Sequence, residues 1–188
     1  MHRPARRLTL LLALVLSTPA LAQSAAQSAT PAPAATPAAL AGLDAYAAVE
    51  LANAWKGNGV TSFVTTEVVR FVFPDGAEVT VALPEDEVIV SVAPYFTHTH
   101  PCATHYMSSC QGELVGAPVH VLALATDGSV LIDEVMTTPA NGFLDLWLPR
   151  DQAIELQMTL DDYRTVGLVS THAGSDTCVT TMRFQAAR

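Results

Sequence analysis

The apolar positions of this chain keep a helical spacing at first and an alternating spacing later. From 43 to 55 they recur at helical intervals and stop at Gly57-Asn58-Gly59, which predicts one amphipathic helix. Three β-branched and aromatic runs follow, at 68–73, 78–83 and 88–93. Pro74-Asp75-Gly76 joins the first two runs and is typical turn chemistry, so the pattern predicts a hairpin and then a third strand. Residues 40–93 are therefore expected to form a small α+β unit, for which dimerisation is one candidate role.

The second half of the chain contains short apolar runs at regular intervals. They lie at 118–125, 130–135, 143–148, 154–160, 163–169 and 178–184. Turn residues separate them, as at Asp127-Gly128, Asn141-Gly142 and Asp161-Asp162. Short strands with turn chemistry between them are typical of an antiparallel β-sandwich rather than a helical domain. The predicted fold class is α+β, mainly β, with a small N-terminal α+β unit followed by a sandwich.

Part of the second half of the chain resembles one particular type of β-sandwich. Gly116-Ala117-Pro118-Val119, the Asp127-Gly128 turn, and Asn141-Gly142-Phe143 ahead of Leu148-Pro149 resemble the transthyretin-like or collagen-adhesin type of sandwich. The likeness is short and concerns the fold alone, which would be transthyretin-like or immunoglobulin-like. We assign 94–188 to a second domain, in which this sandwich carries the cysteine- and histidine-rich loop that precedes it.

The first 22 residues have the pattern of a cleavable secretory signal. Three arginines precede an apolar run at 8–16, and Ala20-Leu21-Ala22 offers small residues for cleavage. The run is too short to span a bilayer permanently, so no membrane anchor is expected. Residues 23–39 consist mainly of Ala, Pro, Ser, Gln and Thr without charge, which predicts a disordered linker.

The charge of the chain excludes one large group of partners. It carries 18 Asp and Glu against 9 Lys and Arg, and three of those basic residues lie in the predicted signal. The mature chain would hold six basic and eighteen acidic side chains, a net charge of −12. Such a protein cannot hold nucleic acid or anionic lipid by counterion release. It attracts cations over a distance, although solubility alone accounts for most of these charges.

One short stretch, 94–110, concentrates side chains that bind soft metals. Its sequence is PYFTHTHPCATHYMSSC. The candidate donors in it are His98, His100, Cys102, His105, Met107 and Cys110. A further cysteine, Cys178, lies near the C-terminus. Thiolate, imidazole and thioether groups suit late transition metals, and thiolates with thioethers favour Cu(I) over hard ions.

The odd number of cysteines is informative for an exported chain. With three, at least one thiol must be free, bound to metal or paired with another chain. One structural disulfide plus a spare buried thiol remains an alternative. The Cys102-x7-Cys110 spacing, with no second pair, does not predict a tetrahedral structural zinc site. Three converging thiolates suit Cu(I) instead, and His100 or Met107 could add a donor.

Two histidines lie outside that stretch in the predicted sandwich. His172 lies in a Gly/Ser loop six residues before Cys178, and it stays a candidate donor because loops often carry function. His120 alternates with Val119 and Val121 in a predicted strand, so it is expected to be a sheet or surface residue.

Six segments of the chain together carry a specific likeness. In chain order they are Val92-Ala93-Pro94-Tyr95, Thr99-His100-Pro101-Cys102, Ser109-Cys110-Gln111-Gly112-Glu113-Leu114, Asn141-Gly142-Phe143, Leu146-Trp147-Leu148-Pro149-Arg150 and Thr177-Cys178-Val179-Thr180-Thr181. From about residue 43 onward, the chain with these segments resembles the CueP family of periplasmic copper-binding proteins. All three cysteines, the Thr-His-Pro-Cys turn and the Leu-Trp-Leu-Pro strand end occur in order, which makes the likeness specific. The alanine-rich linker lies outside it.

The resemblance implies a bacterial envelope protein for copper tolerance, which binds copper and delivers it to periplasmic partners or changes its redox state. Carried over to this sequence, Cys102, Cys110 and Cys178 would be ligands or redox thiols, with His100 beside them. Candidates outside the family's fixed pattern are His98, His105 and Met107. For three thiols to share one metal, the strand of Cys178 must lie beside the loop of the other two cysteines.

Three classes of function remain open. A copper carrier would bind Cu(I) stoichiometrically, with zinc as a surrogate, and would pass copper to a periplasmic acceptor. A thiol redox protein would use a disulfide and a thiol reductant, although no C-x2-C at a helix start is present to lower a thiol pKa. A structural sandwich module would need neither the histidines nor the odd thiol. We favour the carrier, with stoichiometric Cu(II) reduction as an added activity.

Overall fold

The computed structural model describes residues 32–187 and has an α+β, mainly β fold, which confirms the predicted class. A 3-10 helix at Pro37–Leu40 and the helix α1 at Ala45–Ala54 precede the strands. The strands are β1 Thr61–Val64, β2 Val68–Val72, β3 Glu78–Ala82, β4 Glu87–Val92, β5 Pro118–Leu124, β6 Val130–Thr137, β7 Leu144–Pro149, β8 Ala153–Leu160, β9 Tyr163–Ser170, β10 Cys178–Val179 and β11 Gln185–Ala186. The predicted signal at 1–22 and the first part of the predicted linker lie outside the described residues.

Helix α1 forms where the helical spacing predicted it. Asp44 caps its first turn, because the side-chain carboxylate accepts a hydrogen bond from the amide of Ala47 at 2.9 Å. The helix buries a face of small residues and ends at Trp55, whose ring packs edge-on against Phe71. The Trp55 indole nitrogen also donates to the Pro33 carbonyl at 2.8 Å, a contact that the prediction of a disordered linker to residue 39 did not anticipate.

The first sheet has three strands in the order β1-β2-β3. The predicted hairpin is present between β2 and β3, where the amide of Gly76 donates to the carbonyl of Phe73 at 2.9 Å. The sequence did not predict β1, which pairs antiparallel with β2. One face of this sheet packs on α1 and forms a core that contains Trp55, Phe71 and Met107.

Strand β4 connects the first core with the second. Val88 and Ile89 belong to the core around α1, whereas Val90 and Val92 belong to the sandwich core. Its hydrogen-bonding partners are β7, which is antiparallel, and β10, which is parallel. A strand buried on both faces is typically a near-continuous apolar run, and here Val88-Ile89-Val90 is followed by buried Ser91 and Val92. The boundary that we placed at residue 93 therefore follows directly after a strand shared by both cores, and it stays a prediction.

The second and third sheets pack against each other as a sandwich. One has the order β10-β4-β7 and the other the order β11-β9-β8-β5-β6. Their shared core takes alternate residues from both sheets, such as Leu146 of β7, Val121 of β5 and Leu156 of β8. The two sheets thus enclose the apolar runs that the sequence pattern identified as strands.

The single strand predicted at 178–184 is wrong. The structure divides this segment between sheets: β10 ends at Val179 beside β4, and the chain pairs again only at β11, beside β9. Between these strands Met182 and Phe184 fill the sandwich core. A chain that crosses from one sheet to the other cannot keep a continuous ladder with either, so the alternating pattern here reflects core packing rather than one strand. Within residues 32–187, no helix is long and apolar enough to cross a membrane.

Candidate metal centre

The cysteine-rich loop joins β4 to β5 and is held in place by backbone hydrogen bonds from two directions. His105 forms a β-bridge with Val64 at the end of β1, where the Val64 amide donates to the His105 carbonyl at 3.0 Å. The amides of Thr177 and Cys178 both donate to the carbonyl of Ala103, at 2.9 and 3.1 Å. These contacts bring the start of β10, which carries Cys178, against the loop that carries the other two cysteines.

The candidate donors form two groups of three that overlap at one cysteine. His100, Cys102 and Cys110 make the outer trio, and His105, Cys110 and Cys178 make the inner trio. Within each trio the ligand atoms all lie within 4.8 Å of one another. The Sγ atoms of Cys102 and Cys110 are 3.6 Å apart. Two thiolates on one ion at about 2.3 Å each would be roughly 3.7–4.0 Å apart, so this spacing fits a shared metal.

His105 is the most informative residue of the inner trio. Its side chain is fully buried, and its ring packs on Phe143 with the ring centroids 4.4 Å apart. Within the described part of the chain, neither ring nitrogen makes a hydrogen bond of acceptable geometry. A buried polar group without a partner costs about 1–3 kcal/mol of stability. A buried imidazole beside two sulfurs offers one ring nitrogen as a donor to a soft metal ion.

The outer trio is more accessible than the inner one. His100 and Cys102 are half-buried, whereas His105, Cys110 and Cys178 are buried. All three residues of the outer trio line a surface cleft of about 340 Å³, together with Ser109 and Gln111. A second opening, a groove of about 410 Å³, is lined by Cys102 and Cys178 among others. Cys102 therefore faces both openings.

The three thiols differ in their acidity. The neighbouring Cys178 thiol lowers the pKa of Cys110 to about 3, assisted by the imidazoles of His105 and His100. The interaction with Cys110, together with burial, raises the pKa of Cys178. Burial is the main cause of the raised pKa of Cys102. Cys110 is therefore the thiolate of the cluster, and a thiolate is the form that binds soft metals.

Lys56 is a residue of this site that our interpretation of the sequence missed. Its ammonium donates to the carbonyl of Cys110 and to the side-chain oxygen of Gln111, each at 2.7 Å. Burial lowers the pKa of Lys56, while the neighbouring Cys110 raises it. The signal that could have found it is composition, because Lys56 is the only lysine of the chain. Its position just after α1 ties that helix to the Cys110 end of the loop.

Glu113 holds the other end of the same loop. One carboxylate oxygen accepts hydrogen bonds from the amides of Phe96, Thr97 and His98 at 2.9–3.0 Å. Although desolvation raises the pKa of Glu113, these bonds and the one from the Thr97 hydroxyl lower it to about 2. The carboxylate thus fixes the segment that leads into His100 and Cys102.

The remaining candidate donors lie outside both trios. His98 is exposed, with its Nδ1 3.9 Å from the Glu113 carboxylate. Met107 is buried in the core around α1. His172 lies beside Asp151, with 3.7 Å between Nδ1 and Oδ1, and His120 contacts Asp133 at 2.7 Å. The structure therefore places His105 and His100 with the cysteines and leaves His98, His120 and His172 apart.

A β-sandwich with a buried cluster of thiols and imidazoles is typical of the class of proteins that bind soft metal ions. The model of the family described as periplasmic copper-binding protein CueP matches residues 47–183, so this chain belongs to the CueP family. The crystal structure of S.CueP is similar to it, with 27% sequence identity and a TM-score of 0.72 over 78% of this chain and 91% of that chain. No curated protein matches it. The family is periplasmic and copper-binding, and the match includes all three cysteines.

Proposed function

We propose that this protein is a periplasmic copper carrier, which holds Cu(I) through cysteine thiolates for copper tolerance and delivery. The observation that carries the proposal is the buried cluster itself, in which unpartnered His105 lies with Cys110 and Cys178. Sulfur and imidazole donors without a carboxylate select Cu(I) and Zn²⁺ over hard ions. Zinc is therefore a surrogate that the same donors can hold.

The surroundings of the cluster suit a carrier better than an enzyme. The cleft at the outer trio is a short, open surface feature rather than a deep pocket for an organic substrate. The chain's excess of acidic residues attracts cations to the surface. Delivery then requires a periplasmic acceptor whose thiols compete for the bound ion.

Stoichiometric reduction of Cu(II) is a second candidate activity, favoured by the 3.6 Å between the Sγ atoms of Cys102 and Cys110. Joining these sulfurs in a disulfide releases two electrons, which convert two Cu(II) to two Cu(I), and releases the proton of each sulfur that starts as a thiol. Cys178 and His105 would remain as ligands for one of the ions. Repeated reduction needs a thiol reductant that reopens the disulfide.

The test is a titration of the mature, fully reduced chain with Cu(I) against a colorimetric Cu(I) chelator without oxygen. One tightly bound ion per chain is expected, and Cys110→Ser should weaken binding at least about tenfold. His120→Asn, a histidine change on the outer sheet surface, is the matched control and should bind as the natural chain does. If the natural chain fails to compete with the chelator, the carrier function is wrong.

Thiol counting distinguishes the redox alternatives. After mixing reduced protein with excess Cu(II), the reductase activity predicts Cu(I) in the chelator signal and two thiols lost per chain. A thiol redox protein without a stable metal would show a reversible disulfide but no bound copper. A structural sandwich would show neither.

A further inference from the structure

The two trios share Cys110 but differ in the burial of their other members. The outer trio has two half-buried members and opens onto the cleft, whereas all members of the inner trio are buried. His105 lines neither the cleft nor the groove on the Cys178 side. Cys102 and Cys178 belong to different trios, and among the described residues the three sulfurs do not make up one such group by themselves.

We propose that Cu(I) has two positions in this protein and passes between them with Cys110 as the common ligand. The outer trio receives the ion, and the inner trio retains it. This inference rests on the proposed function, because it divides the single copper site of that proposal into two overlapping sites.

Access sets the order in which the positions fill. An ion or a donor that approaches from solvent meets the cleft, where one imidazole and two sulfurs are available at once. The inner trio retains the ion more strongly, because an ion there gives a partner to one of the two buried ring nitrogens of His105 that otherwise lack one. Loss of water around a buried ion also strengthens its attraction to the thiolate.

Cys110 can serve as the pivot because its sulfur belongs to both trios. In the transfer, the bond from copper to Cys110 is kept. The bonds from copper to Cys102 and His100 break, and bonds to Cys178 and His105 form. The Cys178 thiol loses its proton and the Cys102 thiolate gains one, so the net charge is unchanged and copper remains Cu(I). No oxidant or reductant is needed, and the step is a ligand exchange.

A site built from all three sulfurs makes opposite predictions. X-ray absorption of the Cu(I)-loaded natural chain should show two sulfur neighbours and one nitrogen if the inner trio holds the ion, and three sulfurs if the cysteines share it. Under the two-position proposal, Cys102→Ser and Cys178→Ser each keep one complete trio and therefore two sulfurs. Under the three-sulfur alternative, each of these variants loses one sulfur relative to the natural chain.

Double-variant titrations identify which histidine belongs to which position. His105→Ala should weaken Cu(I) binding at least about tenfold more in the Cys102→Ser background than in the Cys178→Ser background. His100→Ala should show the reverse preference. Any general effect of a histidine change on folding is present in both backgrounds and cancels in the ratio. Equal ratios for both histidines would overturn the proposal.

Rapid mixing with Cu(I) tests the order. The thiolate-to-copper absorption of the natural chain should grow in two phases, and Cys178→Ser should keep only the first. Cys102→Ser should take up Cu(I) in one slower phase, and uptake as fast as in the natural chain would contradict the role of the outer trio. If the natural chain binds no Cu(I), the proposed function fails. If it binds Cu(I) but the variants behave alike, only the two-position inference fails.

Discussion

Gly112 and Gly142 meet backbone to backbone where the cysteine loop passes the start of β7. The amide of Gly112 donates to the carbonyl of Asn141 at 2.7 Å, and a Cβ atom on Gly112 would lie 2.4 Å from the Gly142 carbonyl oxygen. Only glycine fits such an approach. The contact fixes the chain two residues after Cys110 and one residue before Phe143, whose ring packs on His105.

We expect Gly112→Ala to disturb this contact and the metal centre with it. The clash is with backbone, which cannot move aside as a side chain can, so the free energy of unfolding should fall by about 1–3 kcal/mol. Cu(I) affinity should fall as well, since Cys110 is displaced. Gly116→Ala is the matched control, because that position has open space and only a positive φ of 70°. Denaturant unfolding and chelator competition measure both effects, and equal losses in the two variants would contradict the prediction.

Lys56 should support the thiolate of Cys110 as well as the loop. Lys56→Met removes the hydrogen bonds to the Cys110 carbonyl and the Gln111 side chain, and also the only lysine charge near the sulfur. The pKa of Cys110 should rise, which the ultraviolet absorbance of the thiolate reports during a pH titration. Lys56→Arg keeps the charge and should keep the titration of Cys110 closer to the natural chain. If the pH titration of Cys110 is unchanged in Lys56→Met, Lys56 has a structural role only.

The helix, the first hairpin and most sandwich strands could be predicted because local rules decide them. Amphipathic spacing and Pro74-Asp75-Gly76 act over a few residues, and tertiary packing did not override them. Strand β1 was missed because four residues beside a glycine-rich turn give too little pattern to distinguish a strand from a loop. The end of the chain was predicted as one strand because alternation reports burial, and a segment that crosses between sheets also alternates.

The residue types of the site could be predicted from the sequence, but the division of these residues between the outer and the inner trio could not. The sequence places four candidate donors near two cysteines, and no local pattern shows which of them lie close together in the fold. His105 was not distinguished from His98, although the structure buries the first and exposes the second. That difference arises from the β-bridge of His105 to Val64, a contact 41 residues apart in the sequence. Lys56 reaches Cys110 through a similar long-range contact.

Glu113 should give the protein an acid-sensitive loop. Its pKa in the folded chain is about 2, below the ordinary value of about 4.3 for glutamate. A depressed pKa means that the ionised carboxylate stabilises the fold, fully above pH of about 4.3, and that this contribution is lost as the pH falls toward 2. Glu113→Gln should lower stability at neutral pH and flatten its dependence on pH in this window. Glu134→Gln on the exposed edge strand β6 is the control, and a Glu113→Gln profile parallel to the natural one would contradict the assignment.

Mild oxidation of the metal-free chain should join Cys102 to Cys110 and leave Cys178 as the free thiol. The two sulfurs are 3.6 Å apart and must close by about 1.5 Å to bond, and the half-buried Cys102 is the more accessible partner for Cys110. Peptide mapping after thiol trapping should find the unmodified thiol at Cys178. Cys178→Ser should form the same disulfide, whereas a bridge between Cys110 and Cys178 in the natural chain would show that the inner trio oxidises first.

The last prediction concerns how much the buried His105 lowers the free energy of unfolding of the metal-free protein. Its buried ring nitrogens lack partners, so an apolar side chain of similar volume should relieve that penalty. We expect His105→Leu to leave the metal-free free energy of unfolding unchanged or to raise it by up to about 3 kcal/mol, the upper end of the cost of a buried polar group without partners. The same change should reduce the rise in Tm that Cu(I) produces, because a ligand stabilises only in proportion to its affinity for the folded chain.

Met107→Leu is the comparison that separates a ligand from a packing residue in the same loop. Met107 is buried in the core around α1, and a volume-conserving change there should cost less than about 1.5 kcal/mol. That variant should keep the full rise in Tm with Cu(I), measured by thermal unfolding of each reduced chain with and without one equivalent of the ion. The two variants should therefore respond in opposite ways: His105→Leu loses the copper effect without losing stability, and Met107→Leu loses some stability without losing the copper effect. A metal-free His105→Leu chain destabilised by several kcal/mol would mean instead that His105 is retained for packing on Phe143, and the inner trio would lose its nitrogen donor.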